Sequence, residues 1–221
     1  MKSTYAHLLR TAILAGLVAI IGAGATSVSA QTIIEEWSTV KAPPAPALKP
    51  VTVDPKTTAL LVMDLLKQGC NDQRRPRCVA SISAIEKLIA AARAKGMTVI
   101  FSTIPPISIG DTLAAVAPKA NEPVVVAWVD KFMLGNKDTG LEKMLKDKGI
   151  TTVISVGTAS YGAVLYTSSA AALRGLNVVV PVDGMSSEDL YFDQASAWLL
   201  AKGTGGIGPK VTLTKIDMIK F

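Results

Sequence analysis

Histidine is what this chain almost lacks. The single copy, His7, falls in an N-terminal stretch that reads as a leader, so a processed chain would hold none. That excludes Ser–His and Cys–His pairs and every imidazole metal ligand. Acid–base chemistry is left to carboxylates, lysines and tyrosines, and neither a metal nor another cofactor is expected. Cysteine is nearly as scarce, with two copies in 221 residues. Beyond the leader no apolar run approaches the ~20 residues that span a bilayer, and no segment repeats. Lysines and arginines form no stripe interleaved with aromatics, so a nucleic-acid partner is not expected either.

The leader is read from Met1 to Ala30. Lys2 and Arg10 give it a basic start, Thr11 to Ala25 is apolar, and Val28-Ser29-Ala30 is a small-residue cleavage site. Cleavage after Ala30 would export the chain, most simply to a bacterial periplasm, with no membrane contact afterwards. The formal charge of +6 falls to +4 without the leader, whose two basic residues are its only charged ones. The 191 residues that remain suffice for one well-filled domain. Residues 31–56 form a proline-rich arm centred on APPAPALKP, a composition that favours extended, unpaired backbone. The domain proper is expected over residues 57–221.

Val153 to Gly184 organises that domain. Val153 to Val156 is a short, β-branched apolar run, which reads as a buried strand. Gly157 ends it, and Ser160 is placed to cap the helix that follows. Ala163 and Ser168 to Ala172 make that helix small on one side, so it can lie close to a sheet. Gly175 stops it, and Asn177 to Val182 supplies a second buried strand. Strand, crossover helix and strand form a right-handed parallel unit covered on both faces.

Upstream, Ala59 to Met63 is an apolar strand with Asp64 at its carboxyl end, the edge at which open parallel sheets bind ligands. Cys70 and Cys78 then bracket NDQRRPR. In an exported protein the pair reads as a disulfide closing a small loop. A free, nucleophilic Cys70 is the weaker alternative, since no histidine would activate it. Arg74, Arg75 and Arg77 in that loop read either as a solvated basic turn, slightly favoured, or as a guanidinium fork for a substrate carboxylate. Ser81 to Lys95 is an amphipathic helix, Met97 to Thr103 a strand, and Ile104 to Ala120 a loop bordering the ligand edge. Pro123 to Trp128 is a strand leading to Lys131; Glu188 to Ala201 reads as a helix and Val211 to Ile219 as the last strand.

The pattern VGxxSxxxVxxTxxxAxxxGxxVVVxVDG, with Lys131 followed by Thr139, Leu141, Leu145 and Gly149, resembles the isochorismatase-like (cysteine hydrolase) superfamily. The resemblance runs from Thr57 to about Ile219. It implies a three-layer α-β-α, Rossmann-like fold around a mostly parallel six-stranded sheet. It further implies Asp64 as acid or base, Lys131 as its electrostatic partner, and an anion-binding corner from the backbone amides of Ala159 and Ala163 beside a cis Thr158–Ala159 peptide. Trp128 and Tyr161 would line the same pocket. In the amidase branch the nucleophilic cysteine occupies the position of Ala163, so the covalent acyl-enzyme route is closed here. The isochorismatase branch works without that cysteine: an aspartate protonates a vinyl ether and water completes hydrolysis.

Two functions are compatible with these residues. One is an exported hydrolase of a small, anionic or cyclic substrate, using Asp64 and Lys131 without a covalent intermediate. The other is an inactive relative that binds a small molecule in the same pocket. Related proteins commonly assemble, so a homo-oligomer is a further expectation of the resemblance.

Overall fold

The computed structural model describes residues 32–221; the leader expected over residues 1–30 lies outside them. The chain divides into a unit ending at Pro43 and a body from Pro44 to Phe221. In the first, α1 (Ile33–Glu36) runs into a 3-10 turn at Trp37–Thr39.

The body begins with β1 (Val51–Thr52), which pairs in parallel with a strand from the far end of the chain. Then come β2 (Thr58–Met63), α2 (Pro76–Ala94), β3 (Thr98–Thr103), β4 (Val124–Val126) and a small hairpin, β5 (Met133–Leu134) with β6 (Lys137–Asp138). These lead to α3 (Leu141–Asp147), β7 (Thr152–Thr158), α4 (Leu165–Leu173), β8 (Asn177–Pro181) and β9 (Met185–Ser186). The chain closes with α5 (Leu190–Lys202), α6 (Ile207–Lys210), β10 (Val211–Thr214) and β11 (Ile219–Lys220), the partner of β1.

Six parallel strands lie in the order β10-β8-β7-β2-β3-β4, and the two-residue β9 adds a seventh beside β7. From β2 the chain first steps outward through β3 to β4, then crosses back to β7 and steps the other way to β8 and β10. Right-handed crossovers in opposite directions put their helices on opposite faces of a sheet. The alternation within each strand agrees. Ala59, Leu61 and Met63 of β2 join a core with Leu141 and Leu145 of α3, the alanines of α4, and Leu200 of α5. Leu60 and Val62 join the other core, with Ile85, Leu88 and Ile89 of α2. Three layers result.

That strand order has its reversal between β2 and β7. At such a switch point neighbouring chains leave the sheet in opposite directions, which opens a crevice beyond the carboxyl ends of the strands. Here the crevice falls between Asp64, just after β2, and the Gly157–Ala159 corner at the end of β7.

Several boundaries differ from the sequence expectations. The α2 helix starts at Pro76, ahead of Ser81, because proline is well tolerated in a first turn. The stretch expected as one last strand is broken by a 3-10 turn at Ile216–Met218, so only β10 stays in the main sheet. The arm, whose composition favours unpaired backbone and which was expected to wrap over the domain or be partly mobile, pairs at its end along β11, and the Lys49 amide donates to the Leu213 carbonyl at 2.9 Å.

Candidate active site

Asp64 leaves β2 in the left-handed region, at φ 52°, and it alone among the described non-glycine residues has a positive φ. Aspartate tolerates this conformation better than most side chains, yet it costs free energy, and such strain clusters at working sites. The turn lifts the carboxylate off the strand end. Ser102 Oγ, on the neighbouring β3, donates to Asp64 Oδ1 at 2.6 Å, and Lys131 Nζ donates to Oδ2 at 2.7 Å.

Lys131 comes from the loop after β4. Its ammonium also donates to the carbonyls of Ala127 at 2.9 Å and Trp128 at 2.6 Å, so all three of its protons are engaged. Its backbone is fixed from α4: the Lys131 amide donates to Thr167 Oγ1, whose hydroxyl donates to the Val129 carbonyl. Thr139 adds a hydroxyl bond to the Lys131 carbonyl at 2.7 Å. Lys131 is 2% exposed and Asp64 8%. Burial outweighs the nearby cation and raises the Asp64 pKa above the usual carboxylate range, while burial lowers that of Lys131. Lys131 lies behind Asp64 and does not line the crevice. Its charge therefore acts on the carboxylate from the protein side.

The opposite wall is built by β7. A Cβ at Gly157, where φ is 131°, would stand 2.0 Å from the Met63 carbonyl oxygen. Only glycine permits this approach, which brings the corner against Asp64. The Thr158–Ala159 peptide is cis. Thr158 Oγ1 donates to the Ser186 carbonyl, and the chain then turns through Ser160–Val164 into α4. Ala163 lies 3% exposed on the pocket wall, beside Ala159 and Gly162. Ser160 does not cap the helix. Its hydroxyl donates to Asp193 Oδ1 of α5 at 2.7 Å, a charge-assisted bond that orients the side chain toward α5.

Asp64 and this corner enclose a crevice of about 230 Å³. Trp128, Val129, Ile104 and Ile107 supply an apolar side, and Gln68, Arg74 and Arg75 a polar rim. A larger groove of about 590 Å³ between α4 and α5 holds Tyr166, Leu199 and Lys202 but no carboxylate. Among the described residues no cluster of histidine, cysteine or carboxylates could hold a metal ion.

The loop rim is held by a disulfide between Cys70 and Cys78, with Cα atoms 5.3 Å apart. A free nucleophilic Cys70 is thereby excluded. The three arginines divide. Arg75 is buried and gives its Nε–H to Glu188 Oε2 at 3.0 Å; Arg77 gives its own to Asp193 Oδ2 at 2.9 Å. Only Arg74 fits the solvated reading. Tyr161, whose hydroxyl donates to Glu188, stands at the pocket mouth against Phe192. Its bonds with Tyr161 and Arg75 hold the Glu188 pKa down to about 2.

The sequence reading missed Ser102, Thr167, Glu188 and Asp193. Ser102 did leave a signal, since a polar pair ends the otherwise apolar β3. Glu188 and Asp193 left none, because their partners lie 113 and 116 residues away.

Residues 58–208 match the family model for the isochorismatase domain. Solved structures share the architecture. An isochorismatase family protein from Desulfovibrio vulgaris is 20% identical over 73% of this chain and 95% of its own, with a TM-score of 0.63. A cysteine hydrolase from Pseudomonas syringae is 18% identical, covering 78% and 94%, with a TM-score of 0.64. N-carbamoylsarcosine amidase from Thermoplasma acidophilum is 20% identical, covering 73% and 97%, with a TM-score of 0.59. At these identities the likeness is one of fold. No curated protein matches the sequence.

Proposed function

We propose a particular chemistry for this chain, which belongs to the isochorismatase domain family: acid-catalysed hydrolysis of a small substrate without a covalent intermediate. The observation that carries this reading is the buried Asp64 carboxyl on the pocket wall, tied to Ser102 and Lys131 with a raised pKa. When protonated, the Asp64 carboxyl can deliver its proton to the terminal carbon of a vinyl ether or to the leaving nitrogen of an amide, and the resulting carboxylate can then accept a proton from the attacking water. Lys131 stabilises that carboxylate as it forms. In this reading the amides of Ala159 and Ala163 hold the developing negative charge. With alanine at position 163 no side chain there can form an acyl-enzyme, so water itself is the nucleophile.

Export to an oxidising compartment is part of the proposal. The disulfide supports it, because such bonds persist there and are rare where thiols are kept reduced. The test is turnover of a panel of vinyl ethers and small amides by the purified protein and by Asp64→Asn. Hydrolysis that disappears in the variant supports the acid role. No turnover of any member by the unaltered protein refutes it and leaves a binding protein of the same fold.

A further inference from the structure

The charges around the crevice do not balance. Asp64 is neutralised by Lys131 at 2.7 Å and Arg75 by Glu188 at 3.0 Å. That leaves Arg74, whose side chain has no hydrogen-bond or ion-pair partner among the described residues although it borders the cavity. Arg75 gives its Nε–H to Glu188 and lies beside the Tyr161 hydroxyl, which leaves further N–H donors on its guanidinium. The side chains of Arg74 and Arg75 thus both line the crevice, which Trp128, Ile104 and Ile107 line with apolar surface. Lys131, the other cation of the site, cannot serve an anion, because its three protons are committed.

We infer that the substrate carries a carboxylate, bound at this rim by Arg74 and the free edge of Arg75, with an apolar body lying against Trp128, Ile104 and Ile107. This rests on the hydrolase reading only for the word substrate; the binding site stands without it. Recognition of a carboxylate by guanidinium groups is strong because the bonds are charge-assisted and can form in parallel pairs. The arrangement is built, not incidental. Cys70 and Cys78 close the loop that carries both arginines, and Glu188 holds Arg75 from across the pocket mouth. The Asn71 side chain accepts from the Arg74 amide at 3.0 Å, fixing the turn beneath it. Trp128, 53% exposed, offers the opposite side a ring face with no aromatic partner of its own among the described residues. The volume is below the ~300–1,000 Å³ of pockets for drug-sized ligands, which limits the body to about one ring.

The experiment compares benzoate, phenylacetate and cyclohexanecarboxylate with their primary amides, by calorimetric titration. It uses the whole protein, Arg74→Gln, Arg74→Lys and Asp64→Asn. At least one acid should bind, more weakly as salt is added, and more tightly than its amide. Arg74→Gln should weaken that acid about tenfold while leaving the amide unchanged, and Arg74→Lys should recover part of the loss. Asp64→Asn should bind the acid at least as well as the unaltered protein, so a failure of catalysis would not disguise a failure of recognition. Equal binding of acids and amides, an unchanged preference in Arg74→Gln, or no binding of any acid would each overturn the inference.

Discussion

Replacing Lys131 by methionine tests the central ion pair. Methionine keeps most of the stem volume and removes the ammonium, leaving Asp64 buried with Ser102 as its one remaining partner. Removing one partner of a buried pair typically costs about 3–5 kcal/mol. A second route to the magnitude uses protonation. Asp64 can escape an unpaired buried charge by taking up a proton, and holding a carboxyl neutral at pH 7 against an unfolded pKa near 3.9 costs at most ~4 kcal/mol. The two estimates agree. With about 2–4 °C per kcal/mol for a domain of this size, the melting temperature should fall by roughly 8–16 °C at pH 7. The deficit must also depend on pH. The folded variant would bind a proton more tightly than the unfolded chain, so stability is greatest below the unfolded pKa. It falls by ~1.4 kcal/mol per pH unit as pH rises through the window up to the raised folded pKa. Urea unfolding at pH 5, 6 and 7 reads this slope directly. The double variant Asp64→Asn, Lys131→Met carries no buried charge and should lose the slope. A Lys131→Met protein as stable as the original at pH 7, with no added pH dependence, would refute the buried pair.

Three other outcomes follow from the same geometry. Gly157→Ala forces a Cβ to 2.0 Å from a backbone oxygen at a φ of 131°, so it should cost more than about 3 kcal/mol and yield little soluble protein. Soluble expression at the original level and an unchanged melting temperature would contradict it. Cys70→Ser with Cys78→Ser opens a ring of sequence separation 8, worth about 2.5 kcal/mol of unfolded-state entropy, and should lower the melting temperature by roughly 5–10 °C. Glu188 is held down to about 2, so the stability it adds is present above its unfolded pKa and is lost as pH falls from about 4.5 toward 2. Its side chain is over a third exposed, which limits the effect to about 1 kcal/mol; acid unfolding curves of Glu188→Gln should lack that portion.

The fold was legible because its signals are local. The runs 59–63 and 153–156 are too short and too β-branched to be helices, and a strand-end aspartate near a glycine-ended strand locates the crevice. What escaped were contacts chosen by tertiary competition. Ser160 looks like a cap until Asp193 arrives from α5, and Arg75 looks solvated until Glu188 arrives from beyond β9. The arm escaped for the same reason. Proline-rich sequence disfavours pairing, but Val51 and Thr52 lie beyond the prolines and meet an unpaired strand edge at Ile219–Lys220. Lys131 was legible as a partner of Asp64 only through the family resemblance, and its position behind the carboxylate required the three acceptors to be seen together.

The separation of the arginines from the acid has a chemical consequence. A cation beside a carboxylate favours its ionised form and so weakens it as a proton donor. Arg75 does act on Asp64 in this sense, opposing the effect of burial. A substrate carboxylate seated on Arg74 and Arg75 would cancel that positive field and add a negative charge near Asp64, raising its proton affinity further. An anionic substrate would then strengthen the acid that cleaves it, while a neutral analogue of the same shape would leave Asp64 more ionised. On the proposed reading the rim and the acid would make one device, in which recognition supplies the field that holds the proton in place without a thiol at position 163.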